Sequence, residues 1–326
     1  MTAQSDVSPV QIGADGKPHR PLGLGGTTFG PNQWGGQEDA NLLASMDESL
    51  AHGIIHFDTG AGYGDGQSER LIGRFMAADP SRRERLFLAS KAASDEMTAQ
   101  AMLDQVDGSR ARLQTDVIDL YYIHWPRTGM DMRPLMEGLE TARQRGWIRA
   151  VGVSNFSVAQ MEQVAQAGHI DAHQMDYSLL WRFPERDLLP YCAAHGITVV
   201  TYSSLAHGIL TGKFARRTNF PEGDQRRDIL LFRDDVWPGV YESVEAFKGV
   251  AERSGRPLLH LAIRWLLHQT AVTTVLVSAR NADQARFNAQ SLEGAISDDI
   301  FEALTAISDR TIHAIPDEGN PYGYHP

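Results

Sequence analysis

The chain of 326 residues contains a single cysteine, Cys192, so no internal disulfide can form and the fold must be held by a packed core. That is compatible with a reducing compartment, and Cys192 is expected to pack as a small apolar residue. Positive charge is also scarce. Thirty Lys and Arg stand against 41 Asp and Glu, a formal net charge of −11, which argues against a nucleic-acid binder because affinity for phosphate backbones needs clustered cations. A local basic pocket is still compatible with that total. No uninterrupted apolar run is long enough to span a bilayer, and residues 1–7 lack a basic segment followed by an apolar core. Nothing directs the chain to a membrane or to secretion, and a cytoplasmic location is the expectation. Internal repeats and low-complexity linkers are absent as well. The Gly-rich string at 23–28 lacks the third glycine of a dinucleotide fingerprint, and 208–214 lacks the spacing and the Ser or Thr of a phosphate-binding P-loop.

What is present is an ordinary globular composition, 42% hydrophobic and 22% charged, arranged in a regular alternation. Short runs rich in Val, Ile, Leu and Phe predict strands at 21–26, 54–59, 86–91, 118–124, 148–154, 172–177, 197–203 and 274–278. Amphipathic stretches at 39–52, 98–113, 132–145, 158–166, 185–195 and 257–268 predict helices between them. Several helices end at a glycine (Gly53, Gly146, Gly196), where a left-handed cap costs little. Eight strands separated by helices predict a parallel (β/α)8 TIM barrel, one domain over 1–326. The Asp15-Gly16 pair is a hairpin signal, so the first twenty residues are expected to plug the barrel bottom. The stretch 205–238, with three Gly, two Pro and many charges, is expected to be a functional loop after strand 7.

Nearly every strand ends in a reactive or hydrogen-bonding residue, and in a parallel barrel those ends converge on one mouth. Asp58 closes the second strand, and Tyr63 follows five residues later across the Gly60-Ala61-Gly62 loop. Lys91 closes the third strand, where it needs a carboxylate and Asp58 is the nearest candidate; His124 closes the fourth. A tyrosine is a poor acid at neutral pH, but a neighbouring ammonium favours its anion, so Lys91 is expected to lower the pKa of Tyr63 while Asp58 keeps Lys91 charged. That combination describes a tuned general acid. Taken singly, each residue is more simply a cap or a surface pair; gathered at the ends of three strands, they form a candidate site.

With these residues in place, the sequence resembles the aldo-keto reductase family over nearly its whole length, of the bacterial general-stress and inositol-operon type. The family's tetrad falls on Asp58, Tyr63, Lys91 and His124. The resemblance implies an NADPH-dependent enzyme in which the cofactor gives hydride to a carbonyl, Tyr63 donates the proton, Lys91 and Asp58 tune it and His124 orients the carbonyl. It further implies that Ser154, Asn155 and Gln174 hold the nicotinamide carboxamide and that Tyr202 stacks under the ring. Asp58, Gly26 and Thr27 also border the cofactor. Ser203, Leu205, Gly208 and Lys213 belong to the loop over the pyrophosphate, and Ser278, Arg280, Gln284 and Asn288 to the adenosine end, at a helix start suited to anions. Arg280 is the reason to expect NADPH ahead of NADH.

Some positions depart from the family pattern. Ser278-Ala279 replaces the usual glycine before Arg280, and Phe287 stands where an acidic residue often precedes Asn288. The small Gly60-Ala61-Gly62 loop is consistent with a wide mouth. Trp34 and Trp125, just beyond strand ends, are the expected substrate-pocket residues, and the tail 311–326 either covers the mouth or frays. The expected partner is a small carbonyl or sugar, with no metal, nucleic acid or membrane. Oxidation of an aldose with NADP and a cofactor-sensing role with little turnover are the alternative functions. A zinc site at His56, Asp58 and His124 leaves Tyr63 unexplained, and a Schiff-base Lys91 is opposed by its carboxylate partner.

Overall fold

The structure is a computed structural model that describes residues 7–14, 16–30, 38–222, 224–320 and 322–323. Its strands are β1 (Leu22–Gly25), β2 (His56–Asp58), β3 (Phe87–Ala92), β4 (Ile118–Ile123), β5 (Ile148–Ser154), β6 (Ala172–Asp176), β7 (Thr198–Tyr202) and β8 (Val272–Val277). Every neighbouring pair is parallel, and β8 returns to pair with β1, closing an eight-stranded barrel with helices between the strands. The (β/α)8 expectation therefore holds, strand for strand.

Side-chain alternation sorts the strands into two layers. Leu24, Phe57, Leu88, Tyr121, Val151, Val153, Met175, Val199, Val275 and Val277 face outward, into the main core beneath the helices. Phe87, Ala89, Leu120, Tyr122, Ala150, Ala172, Val200 and Leu276 face inward and fill the barrel with a second, separate cluster. Ile12 joins that inner cluster, fully buried. It is carried there by the N-terminal segment, in which Val10 and His19 exchange two backbone hydrogen bonds of 2.8 Å in antiparallel sense. The hairpin plug is thus present, although Asp15 lies outside the described residues. Glycine has a packing role at position 152, where an added Cβ would lie 2.3 Å from the Tyr122 ring.

The predicted helices appear as Asp39–Ala51, Ala99–Leu113, Arg133–Gln144, Val158–Val164, Leu188–His195 and Leu258–His268. The glycines after three of them, Gly53, Gly146 and Gly196, have φ of 73°, 72° and 66°, as a left-handed cap requires. The helix start expected at the adenosine end is Ala282–Gln290; helices at Gln67–Ala77 and Asp298–Ile312 escaped the sequence reading, as did the longest described helix, Trp237–Ser254. That helix begins inside the stretch expected to be a loop. Pro238 and Gly239 look like breakers, but proline in the first turn gives up a hydrogen bond that is unmade anyway. The rest of the stretch is not featureless, since it contains three 3-10 turns and an aromatic cluster of Phe214, Phe220, Phe232 and Trp237. Among the described residues no helix is long and apolar enough to cross a membrane. Cys192 is fully buried, and burial pushes its thiol up to about 12, so it packs as an inert small residue.

At the barrel floor His56 is fully enclosed, with ring centroids 5.2 Å from His19 and 4.8 Å from Phe87. Burial holds His56 well below its ordinary value, and burial likewise lowers His173. In the unfolded chain both regain a value near 6.5, so below that pH the unfolded state takes up protons that the folded state refuses. Stability is therefore complete above about pH 7 and should fall as the pH drops through 6.5, by up to about 1.4 kcal/mol per pH unit per histidine. Urea unfolding between pH 7.5 and 5 measures this slope, and His56→Phe should flatten it. Gly152→Ala should cost about 1–3 kcal/mol by overpacking against Tyr122, read in the same assay at pH 7.5.

Candidate active site

The inward residues at the carboxyl ends of the strands form one hydrogen-bonded layer. Asp58 (β2) and Lys91 (β3), 3% and 1% exposed, form a short ion pair between Oδ1 and Nζ. Lys91 also donates to the Thr59 carbonyl at 2.9 Å, and the other Asp58 oxygen accepts from Gln174 Nε2 (β6) at 2.8 Å. The loop after β2 is laced back onto β3, with the Thr59 amide on the Ala89 carbonyl at 2.9 Å and the Ala61 amide on Lys91 at 2.8 Å. A Cβ at Gly60 would lie 3.1 Å from the Lys91 stem, whereas one at Gly62 would meet nothing within 4 Å. So Gly60 is small because the lysine passes beside it, and Gly62 leaves open space.

This loop swings Tyr63 over the pair. Its ring centroid is 5.0 Å from Lys91 Nζ and 5.7 Å from the His124 ring, which it meets edge-on. The four tetrad residues, drawn from three strands and one loop, are thereby brought together. Burial lowers the value of Lys91, but the Asp58 and Tyr63 interactions outweigh it and raise the net value, so the ammonium is secure. Burial and Lys91 both lower His124, leaving a neutral imidazole. Tyr63 runs against expectation: burial raises its value above the ordinary one, and the opposing pull of Lys91 is smaller. Removing a phenolate from water costs more here than one nearby ammonium returns, in part because Asp58 cancels some of that charge.

The adjoining wall is continuous with the tetrad. Asn155, following β5 with a left-handed φ of 64°, donates from Nδ2 to the His124 carbonyl at 3.2 Å and to Ser154 Oγ at 3.1 Å, and accepts from the Tyr202 hydroxyl at 2.6 Å. Gly26 and Thr27 begin a 3-10 turn directly after β1, and Ser68 Oγ donates to the Gly26 carbonyl at 2.9 Å, beside Asp58. Past β7 the backbone is left-handed at Ser203, Ala206, His207 and Gly208, a density of positive φ values seen at functional turns. Leu205 opens the 3-10 turn that holds Gly208.

At the far end Asn281 caps helix Ala282–Gln290 by accepting from the Gln284 amide at 2.9 Å. The Gln284 side chain accepts from the Arg280 amide at 3.0 Å, Asn288 donates to the Ser278 carbonyl at 3.2 Å, and Ser278 Oγ donates to Gly25 at 2.9 Å. Burial lowers both Lys213 and Arg280 from their ordinary values, the like charges of Arg280 and Arg226 add to this at Lys213, and that of Arg226 adds to it at Arg280, so cations gather at this end of the site. Arg226 was not anticipated. It is placed by a two-oxygen pairing with Asp224 and by the face of Phe220, 4.6 Å away. The tail contributes Tyr322, whose ring lies 6.3 Å from Trp125, 6.4 Å from Tyr202 and 5.3 Å from His207. Through Tyr322 the tail lies against the mouth, the first of the two outcomes expected for it. Trp125 borders the mouth beside His124, with ring centroids 5.8 Å apart, while Trp34 lies outside the described residues. Among the described residues no cluster of three or more His, Cys, Asp or Glu could hold a metal ion.

The model of the aldo/keto reductase family matches residues 21–309. Similar proteins include the aldo-keto reductase YhdN of Bacillus subtilis, 31% identical over 89% of this chain and 90% of that protein. An NADH-specific methylglyoxal reductase of Escherichia coli is 28% identical over 85% of this chain and 91% of its own. Among solved structures, a glycerol dehydrogenase from Gluconobacter oxydans superposes with a TM-score of 0.84 at 30% identity, covering 94% of this chain and 96% of that one.

Since Asp58 and Lys91 are both buried, removing one strands the other. Lys91→Met should cost about 3–5 kcal/mol in urea unfolding, and adding Asp58→Asn should recover part of it. A single variant as stable as the parent would show that the pair is not the anchor of this layer.

Proposed function

Because the chain belongs to the aldo/keto reductase family of oxidoreductases, we propose that it exchanges hydride between NADP(H) and a small carbonyl or alcohol, most readily reducing aldehydes or ketones. The observation that carries this reading is the Asp58–Lys91–Tyr63–His124 layer at one barrel mouth. The donor set fits a nicotinamide dinucleotide: amide-bearing Asn155 and Gln174 on one wall, the Tyr202 ring beside them, left-handed backbone at 203–208 and cations at the far end. When bound, that cofactor supplies or accepts the hydride. All other steps fall to side chains of this protein.

As a carbonyl is reduced, negative charge builds on its oxygen, which needs a proton and a hydrogen-bond donor. Tyr63 keeps its proton at neutral pH, because burial raises its value, and the neighbouring Lys91 ammonium makes loss of that proton less costly at the moment of transfer. His124, neutral, directs an N–H at the same oxygen. Asp58 maintains the ammonium and, through Gln174, ties the proton donor to the cofactor wall. Lys213, Arg226 and Arg280 favour a cofactor bearing the extra phosphate. A similar protein of E. coli is NADH-specific, so preference rests on these cations of the present chain. Alcohol oxidation is the second reading, favoured by the likeness to a glycerol dehydrogenase.

Following NADPH absorbance with a panel of aldehydes and ketones, and NADP+ with polyols, tests both readings. Tyr63→Phe should lower kcat by about 10²–10⁴ while still binding NADPH. Reduction by the parent requires the protonated phenol, so its rate should be level through neutral pH and decline on the alkaline side. A Tyr63→Phe variant with the parent's rate would remove Tyr63 as the proton donor. Arg280→Ala should weaken NADPH and leave NADH nearly unchanged, read as separate KM values.

A further inference from the structure

Gln174 is not the last inward residue of β6. Two positions on, Asp176 ends the strand on the same face, in register with Tyr202 of β7. It is 5% exposed, and its Oδ2 is buried with no hydrogen-bond partner. The amide groups around it are engaged: Gln174 Nε2 with Asp58 at 2.8 Å, Asn155 Nδ2 with His124 and Ser154, and Asn155 Oδ1 with Tyr202 at 2.6 Å. Beside these partly engaged amides, Asp176 Oδ2 is a buried oxygen with no partner. A buried polar oxygen without a partner is costly, and such atoms persist where a ligand completes them.

We propose that Asp176 is a cofactor-binding residue, an uncharged carboxylic acid that pairs with the carboxamide of the nicotinamide. The inference rests on the oxidoreductase reading above. A neutral carboxyl presents an O–H donor and a C=O acceptor side by side, the complement of a primary amide's C=O and N–H. Burial favours this form, raising Asp176 well above the ordinary carboxylate range against a weaker opposing hydrogen bond from Ser203. The titratable groups that face it are Tyr202 of β7 and Tyr322 of the tail, and burial raises both, so neither is charged at neutral pH. Tyr322 borders this corner, its hydroxyl 3.5 Å from Ser203 Oγ and its ring 6.4 Å from that of Tyr202.

Titrating NADPH fluorescence with the parent, Asp176→Asn and Asp176→Ala tests the proposal without relying on turnover. An amide side chain also offers a donor and an acceptor, so Asp176→Asn should bind within about threefold of the parent, while Asp176→Ala should lose about tenfold. The analogue with an acetyl group in place of the carboxamide lacks the N–H; it should bind the parent more weakly than NADPH, and that difference should shrink in Asp176→Ala. Equal weakening by Asn and Ala would show that the carboxylate charge is what matters and overturn the proposal, as would unchanged affinity in both. If the Ala variant fails to fold, retention or loss of affinity in the Asn variant decides. A parent that binds no NADPH overturns the oxidoreductase reading itself; a parent that binds and turns over with indifferent Asp176 variants overturns only this inference.

Discussion

Closure of eight parallel strands imposes a single constraint on everything described above: every second side chain of every strand must share one narrow interior. Below, that interior is filled with Phe87, Leu120, Tyr122, Ala150, Val200 and Leu276 and stoppered by Ile12. Above, the same alternation delivers Asp58, Lys91, Ser154, Gln174 and Tyr202 to the inward face at the carboxyl ends of their strands. Packing at the bottom and chemistry at the top are thus the same alternation read at two heights. This is why Gly152, a packing residue against Tyr122, sits only two positions before Ser154.

Within that level the electrostatics are cooperative. A lone lysine in this interior would be stripped of its charge by burial, and a lone aspartate would hold its proton. Together they sustain each other, and the Lys91 charge then acts on Tyr63 and His124 in the same electrostatic sense, disfavouring the proton on both. It eases ionisation of the phenol while discouraging protonation of the imidazole. Asp176 shows the contrasting outcome on the same inward face: with burial and no cation among its influences, its carboxyl is pushed well above the ordinary carboxylate range.

How much of this was legible in the chain depends on the range of the interaction involved. The strand-end residues were legible because the apolar runs that precede them mark the strands, and the fold brings their ends together. Asp176 could have been found by the same alternation, two residues beyond Gln174. Arg226 and Tyr322 could not, because their positions depend on how a long segment and the tail fold back: Arg226 on the Phe214, Phe220 and Phe232 cluster and on Asp224, Tyr322 on the faces of Trp125 and Tyr202. The helix Trp237–Ser254 was hidden by a local signal, Pro-Gly, whose effect changes with position in the helix.

The sequence by itself determined the barrel, the order of its strands and the identity of the residues at their ends, because periodicity and strand propensity are local properties of neighbouring residues. Tertiary structure alone decided the protonation states at the mouth. The direction in which Tyr63 shifts depends on how far its ring is withdrawn from water against how near Lys91 approaches, and the state of Asp176 on which groups fail to reach it. Those are distances between residues far apart in the chain, and no spacing along the chain encodes them.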